Sequence, residues 1–207
     1  MDVILILAGG VLLGILHSFD PDHIAAMTAQ VAPGAPPRHA QRSGLLWGCG
    51  HSVALCATAL TLAVLGMRVA PVFETGFEVA VGAVLIMLGL WRVSITLRDG
   101  RKAQANSHTS SMLPLWVGML HGLAGTAGIM IMAPLLLLES LPAYAAYLVC
   151  FSAGSILSMT LFTSALARAQ GALVTRLRQG RVWLGAGAGM LSSGVGVWWL
   201  LGGALAA

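Results

Sequence analysis

Six long apolar stretches fill most of this sequence, and only short polar segments separate them. A helix needs about 20 residues to cross the hydrocarbon core of a bilayer, and each stretch reaches that length. Apolar residues account for 57% of the 207 residues and charged residues for 9%, which excludes an ordinary soluble domain. The sequence therefore predicts an all-α polytopic membrane protein with six transmembrane helices. The predicted helices lie within residues 3–32, 45–67, 72–97, 113–138, 143–169 and 182–206.

The positions of the basic residues predict how these helices are oriented. Ten of the eleven Lys and Arg residues lie in or beside the segments that follow the first, third and fifth stretches, and only Arg68 lies on the other side. By the positive-inside rule, loops 33–44, 98–112 and 170–181 are cytoplasmic and both termini face outward. We therefore expect a multi-pass protein of the cytoplasmic (inner) membrane. Its net charge of +4 reflects this orientation rather than nucleic-acid binding.

The two halves of the sequence match each other at an offset of 104 residues. Residues 14–17 (Gly-Ile-Leu-His) align with 118–121 (Gly-Met-Leu-His), and Gly50 aligns with Gly154. Three helices are an odd number, so the second half would enter the membrane from the opposite side, as in proteins with inverted repeats. The third stretches match more loosely, at an offset of 105, which pairs Gly82 with Gly187 and Gly89 with Gly194.

The organisation predicted from this match is a single membrane domain over residues 1–207, built from two inverted three-helix repeats. The first repeat covers 1–97 and the second covers 113–207. A polar cytoplasmic linker, 98–112, joins them.

Four ionisable side chains lie close together inside the first apolar stretch: His17, Asp20, Asp22 and His23. An ionised group costs about 2.5–3.5 kcal/mol at the centre of a bilayer even on a lenient scale, so these groups need a compensating partner. Pro21 lacks an N–H and leaves the carbonyl of His17 without its helical donor. We therefore expect the first helix to break near Pro21 and to offer this carbonyl, beside the side chains, to a cation.

The chemistry of these side chains indicates the kind of cation. Imidazole and carboxylate ligands together suit borderline divalent metals, such as nickel, cobalt, zinc and copper, better than magnesium or calcium. The alternative is that the groups only pair with one another or with distant Lys or Arg residues and so hold helices together. The interiors of the six stretches offer almost no Lys or Arg for such pairing, which favours a metal site.

Two further histidines lie inside predicted helices. His51, in the second stretch, is expected to be a metal ligand or a gate. His121 is the repeat counterpart of His17 and is expected near the midplane, opposite the first site. Both retain the alternative of a packing residue held by a hydrogen bond.

Two segments resemble the signature motifs of the nickel/cobalt transporter family. His17, followed after four residues by 22–26 (Asp-His-Ile-Ala-Ala), is similar to the first motif, in which four residues separate a histidine from Asp-His-Ile-Ala-Ala. Residues 47–52 (Trp-x-x-Gly-His-Ser) are similar to the second motif, an aromatic residue before x-x-Gly-His-Ser. The resemblance implies that the following residues recognise a metal ion: His17, Asp22, His23 and His51.

The second half departs from the longer, eight-span members of that family, which carry an Asp and a Glu in the corresponding stretch. Here residues 123–128 read Leu-Ala-Gly-Thr-Ala-Gly and hold no acid. The segment 121–125, His-Gly-Leu-Ala-Gly, is more similar to a compact branch described as urease accessory protein H-like or sulfite-exporter-like. This departure bears on the substrate more than on the fold.

Residues and resemblance together predict a secondary transporter, not an enzyme, that moves a divalent transition-metal cation by alternating access. Nickel or cobalt is expected as the transported substrate, with no catalytic residue and no prosthetic group. No phosphate-binding Gly-x4-Gly-Lys-Ser/Thr loop occurs in the sequence, so no nucleotide is expected as a partner. The predicted metal-binding residues are His17, Asp20, Asp22, His23, His51 and His121.

Three alternatives stay open. An exporter of a small anion such as sulfite would use protonated histidines and helix N-termini, although two carboxylates repel an anion. An intramembrane metalloenzyme would need a metal-activated water and a substrate cleft. A non-transporting accessory subunit would leave the ionisable groups without metal. Besides the ion and the lipid bilayer, the sequence is compatible with a homo-oligomer or a partner in metalloenzyme maturation, and no nucleic acid is expected.

Overall fold

The computed structural model describes residues 3–66, 71–99, 112–124, 134, 137–138, 140–177 and 179–206. Within these ranges all regular structure is helical, as the sequence predicts, and no strand occurs. Seven helices are described there: α1 (Val3–His17), α2 (Pro21–Gln30), α3 (Pro37–Leu65), α4 (Pro71–Asp99), α5 (Leu113–Leu123), α6 (Leu141–Arg176) and α7 (Gly180–Ala206).

Four of these helices, α3, α4, α6 and α7, are long and apolar enough to cross a bilayer. Helices α1 and α2 make a fifth span if the bent pair counts as one. Helix α5 is apolar but has 11 residues, fewer than a bilayer requires. The described residues therefore contain four to five of the six predicted spans. Most of stretch 113–138 beyond α5, and most of the predicted linker 98–112, lie outside them.

Pro21 explains the bend between α1 and α2, and the predicted break near this residue is confirmed. Helix α1 ends at His17, α2 begins at Pro21, and the two helices are bent by 58° relative to each other. Pro21 takes a first-turn position of α2, where its missing N–H has no helical partner to lose. Asp20 has polyproline-like backbone angles, φ −58° and ψ 142°, as expected before a proline. The helix pair therefore turns over residues 18–20.

Glycines allow α1 to lie directly against α6, and α3 directly against α5. At five positions in these two interfaces a Cβ would overlap a backbone carbonyl of the facing helix, so only glycine fits without a shift of the helices. The five contacts are Gly14 with Phe151, Gly154 with Val11, Gly50 with Leu115, Gly118 with Trp47 and Gly122 with His51. Helix α3 also packs against α6, so these four helices form one bundle.

Helices α4 and α7 pack against each other along their length, also through small residues. Gly82 contacts Gly196, and Gly89 contacts Gly189. Both pairs bring backbone against backbone. The α4–α7 pair meets the rest of the molecule chiefly through α2, which lies against both helices.

We expect Ser192→Ala to destabilise this helix pair modestly. The Ser192 hydroxyl on α7 is buried and donates to the carbonyl of Leu85 on α4 over 2.8 Å. One such hydrogen bond contributes about 0.5–1.5 kcal/mol, which corresponds to a fall of a few degrees in the unfolding midpoint. Thermal unfolding in detergent, followed by circular dichroism, measures the change. Ser193→Ala is the control, because its buried oxygen makes no hydrogen bond within the described ranges; an equal loss in both variants would contradict the prediction.

Candidate metal centre

Four histidines from four helices meet where α1 and α2 join. His17 ends α1, His23 lies on α2, His51 on α3 and His121 on α5, and none is more than 2% exposed. The ring centroid of His23 lies 4.6 Å from that of His17, 5.0 Å from that of His51 and 5.7 Å from that of His121. The structure thus brings all four predicted histidines to one place.

The ring of His23 is oriented by the backbone at the helix break. Its Nδ1 lies 3.0 Å from the carbonyl oxygen of His17. A carbonyl oxygen only accepts, so Nδ1 carries the proton and Nε2 presents its lone pair. The same carbonyl also accepts the N–H of Asp20, over 3.1 Å. The expectation that this carbonyl stays open to a cation is therefore wrong, because its two acceptor positions are used to orient His23 and to close the turn.

The ring of His121, on α5, is also oriented by a backbone carbonyl. Its Nδ1 donates to the carbonyl of Val117, one turn earlier on α5, over 2.8 Å. Its Nε2 is buried and has no hydrogen-bond partner within the described ranges. Metal-ligating histidines commonly use one ring nitrogen for such a backbone bond, which fixes the tautomer and leaves the other nitrogen for the ion.

The remaining two histidines bury ring nitrogens that no described residue satisfies. The ring of His51 stacks on Trp47, with centroids 5.1 Å apart and planes 7° apart, and no described residue hydrogen-bonds to either of its nitrogens. Nε2 of His17 also has no hydrogen-bond partner among the described residues. Its Nδ1 lies 2.7 Å from a carboxylate oxygen of Asp20, in a close contact without hydrogen-bond alignment. Burying polar atoms without partners is costly, so this cluster is arranged for something that binds lone pairs.

The two predicted carboxylates flank the histidines at the start of α2. Asp22 is 2% exposed, and its Oδ2 lies 3.8 Å from Nε2 of His23, while its Oδ1 has no partner within the described part of the chain. The side chain of Asp20 is 36% exposed. Both acids also lie where the positive end of a helix favours negative charge, so part of their role is to stabilise the N-terminus of α2.

Two groups of potential ligand atoms overlap at His23. One atom each from His17, His23 and His51 lie within 4.8 Å of one another, and so do one atom each from Asp20, Asp22 and His23. Two nitrogens bound at about 2.1 Å to a tetrahedral ion lie roughly 3.4 Å apart, so a modest contraction would close the site. The identity of all six residues as metal ligands stays a prediction.

The helix ends around the cluster favour a cation. His17 lies in the last turn of α1 and His121 in the last turn of α5, and the C-terminal end of a helix carries partial negative charge. The N-terminal end of α2 carries partial positive charge, and the carboxylates of Asp20 and Asp22 offset this charge. Nothing in the described residues supports the anion alternative, because a buried carboxylate and two helix C-termini would all repel an anion.

Two residues have contacts in the structure that the sequence did not predict, one at the site and one at the far end of α2. Trp47 contributes the aromatic surface under His51, and its place in the second motif was the only signal for it. Arg92 was assigned to the cytoplasmic end of the third stretch, but it lies inside α4 and is buried. The apolar residues on both sides of Arg92 in the sequence were the available signal.

The described residues define a helical membrane protein with a buried imidazole and carboxylate cluster at the bend between two helices. The chain is 26% identical over 176 residues to the urease accessory protein UreH of Bacillus sp. (strain TB-90), which covers 79% of this chain and 77% of that protein. This weak similarity fits the resemblance to the nickel/cobalt transporter family. No protein-family model matches the chain, and no solved structure matches it.

The chain is also similar to two plant proteins. It is 29% identical over 198 residues to chloroplast protein FOR GROWTH AND FERTILITY 1 of Arabidopsis thaliana, and 27% identical over 191 residues to FOR GROWTH AND FERTILITY 2. Each match covers 84% of this chain but only 54% and 51% of the respective plant protein, so the chain spans about half of their length. None of the three names is that of an enzyme.

Proposed function

We propose that this protein is a secondary transporter that moves a divalent transition-metal cation, nickel or cobalt, across the cytoplasmic membrane. The observation that carries the proposal is the set of four buried histidines at the break of a membrane span, with ring nitrogens left unpartnered by the described residues. Secondary transporters commonly form their substrate sites at broken spans. The weak similarity to a urease accessory protein supports a role in metal handling or urease maturation.

The proposed site binds the ion through imidazole nitrogens, with carboxylates alongside. His23 and His121 would offer Nε2, because their Nδ1 atoms are bonded to backbone carbonyls. Asp20 is the most exposed of the predicted ligands and would meet the ion first, before the buried imidazoles. The choice of nickel or cobalt among the borderline metals rests on the resemblance of the two histidine motifs to those of the nickel/cobalt transporter family.

The packing contacts support two inverted three-helix repeats and, with them, six spans. Under the offset of 104, the contact between Gly14 and Phe151 corresponds to the contact between Gly118 and Trp47. The contact between Gly50 and Leu115 corresponds in the same way to that between Gly154 and Val11. In the third helices the contacts follow an offset of 107 rather than 105, which relates the pair Gly82 and Gly196 to the pair Gly189 and Gly89.

The grouping of the helices supports alternating access. Helices α1, α3, α5 and α6 pack into one bundle, which carries His17, His51 and His121. Helices α4 and α7 form a second body, and α2, which carries Asp22 and His23, packs mainly on that body. The proposed ligands therefore come from both bodies, so a relative movement of the two would open or close the site. In this proposal the termini lie outside and the polar linker 98–112 lies in the cytoplasm, an orientation that the distribution of basic residues in the sequence supports.

Flux measured in proteoliposomes tests the transport function. Purified protein reconstituted with an internal metal-sensitive fluorophore should admit nickel or cobalt, and His17→Ala should abolish this flux. His39→Ala is the control, because His39 is an exposed residue near the start of α3, away from the cluster. Nickel binding without flux would indicate a non-transporting accessory role, and flux of sulfite but not of metal would overturn the proposal.

We expect His51→Phe to separate metal binding from stability. Phenylalanine keeps a ring against Trp47 and removes two buried nitrogens that no described residue satisfies. Without metal, the variant should therefore unfold at the same temperature as the wild type or higher. With nickel at about 100 times its dissociation constant, the wild type should gain about 2.7 kcal/mol. The variant should gain almost nothing in a thermal shift assay, and a full nickel shift in His51→Phe would remove His51 from the site.

A further inference from the structure

Arg92 is a buried cation inside a predicted membrane span, and the proposed metal site makes no direct use of it. It lies on α4, seven residues before the end of that helix, and is 5% exposed. Within the described residues no carboxylate lies within salt-bridge distance of it. A charged side chain in such a place is costly and usually serves a function.

The guanidinium of Arg92 binds the C-terminal end of α2. Its Nε donates to the carbonyl of Ala29 over 2.5 Å, and its Nη2 donates to the carbonyl of Gln30 over 2.8 Å. The last four carbonyls of a helix lack partners within the helix. In α2, the N–H of Val31 satisfies the carbonyl of Met27, and Arg92 satisfies two of the others. Arg92 thus supplies most of the C-terminal capping of α2.

Helix α2 depends on such contacts for its position. It has ten residues, or about 15 Å of helix, and isolated helices of this length are marginal. No side chain caps its N-terminus with a hydrogen bond, and residues 18–20 form a bend before it. Asp22 and His23 lie at one end of α2, and the carbonyls bound by Arg92 lie at the other.

We propose that Arg92 is a positioning residue of the metal site. By fixing the C-terminal end of α2 to α4, it holds Asp22 and His23 at the height of the histidines on α1, α3 and α5. The guanidinium suits this task because its planar fork reaches two adjacent carbonyls at once and its charge meets the negative end of the helix. The inference rests on the proposed function only in requiring that the site binds a metal ion.

Nickel titration of the full chain in detergent tests this role. Arg92→Gln should bind nickel about 10-fold more weakly than the wild type, at the low end of the effect of removing a group bonded to a metal ligand, because Arg92 acts on the ligands through α2. Arg98→Gln is the matched control, because it removes an exposed arginine from the same helix, and it should bind with wild-type affinity. The nickel affinity of Arg92→Lys should lie between those of the wild type and Arg92→Gln, because a single ammonium group cannot reproduce the two hydrogen bonds of the guanidinium.

Cobalt absorption spectra distinguish positioning from general stability. If α2 is displaced, His23 should leave the coordination sphere, and the d–d bands of bound Co(II) should change in Arg92→Gln. Ser192→Ala removes a hydrogen bond between α4 and α7 but leaves both bonds from Arg92 to α2 in place, so it should keep the wild-type spectrum and affinity. Equal loss of affinity in Arg92→Gln and Ser192→Ala, or an unchanged spectrum in Arg92→Gln, would overturn the inference.

The outcomes separate this inference from the proposed function. A wild-type protein that binds no nickel and no cobalt would overturn both. A wild-type protein that binds nickel, together with an Arg92→Gln variant of equal affinity, would overturn the role of Arg92 alone. If Arg92→Gln does not fold, Arg92→Lys decides, because wild-type affinity in that variant shows that the two-pronged contact is not required.

Discussion

Replacing His23 with asparagine will abolish tight metal binding while leaving the protein folded. The side-chain amide of asparagine lies roughly where Nδ1 of histidine lies, so it can still donate to the carbonyl of His17. Nothing in the variant replaces Nε2. Loss of an outer partner alone costs about 10–100-fold in metal affinity, so loss of this ligand should cost at least about 100-fold. Nickel titration of the purified protein measures the effect.

His23 is chosen because it belongs to both groups of potential ligand atoms, whereas His17, Asp20, Asp22 and His51 each belong to one and His121 belongs to neither. His23→Gln is the complementary variant. Its longer side chain brings the amide near the place of Nε2 but gives up the hydrogen bond to His17, so it should lower thermal stability more than His23→Asn does. His39→Asn, on exposed surface away from the cluster, should leave the nickel affinity unchanged. Wild-type nickel affinity in His23→Asn would show that Nε2 of His23 is not a ligand.

The break in the first span could be predicted from sequence because its cause is local. Pro21 removes one N–H and restricts Asp20, whatever the rest of the fold does. The use made of the freed carbonyl could not be predicted. It depends on the bend of 58°, which turns His23 back towards His17 and places a ring N–H, rather than a cation, at that oxygen.

The convergence of the histidines was only partly visible in the sequence. The motifs grouped His17, Asp22, His23 and His51, and the repeat added His121, but none of these patterns gives a distance. The distances follow from backbone contacts at glycines, which carry no signal of their own in an apolar sequence. Arg92 shows the same limit, because its partner is the end of α2 and that contact joins residues about 60 positions apart.

The number of spans shows a different limit. Apolar length predicts a fourth span over 113–138, and α5 accounts for its first 11 residues. The mean hydropathy of a whole stretch does not show where a helix within that stretch ends. Gly122 and the His121 carbonyl, which accepts the N–H of Ala124, lie where α5 stops.

The second large effect is expected at Gly14, where a single methyl group should damage both the fold and the site. A Cβ there would overlap the backbone carbonyl of Phe151, which cannot move aside as a flexible side chain can. Overpacking of this kind costs about 1–3 kcal/mol and sometimes more. Because His17 lies one turn further along α1, pushing α1 away from α6 would also displace that histidine from the cluster. Gly14→Ala should therefore lower both the unfolding temperature and the nickel affinity.

Gly9→Ala is the matched control on the same helix, since a Cβ at Gly9 meets nothing within 4 Å. Alanine is about 1 kcal/mol more favourable than glycine inside a helix, so Gly9→Ala should be neutral or stabilising. Gly14→Ala has the same gain, so the two variants should differ by the overpacking cost of about 1–3 kcal/mol or more. Gly118→Ala extends the test to the proposed repeat. It places the same overlap on the carbonyl of Trp47, next to the stack that carries His51, so it should match Gly14→Ala in thermal unfolding and nickel titration. Tolerance of Gly14→Ala would contradict the packing of α1 on α6, whereas tolerance of Gly118→Ala alone would contradict the equivalence of the two halves.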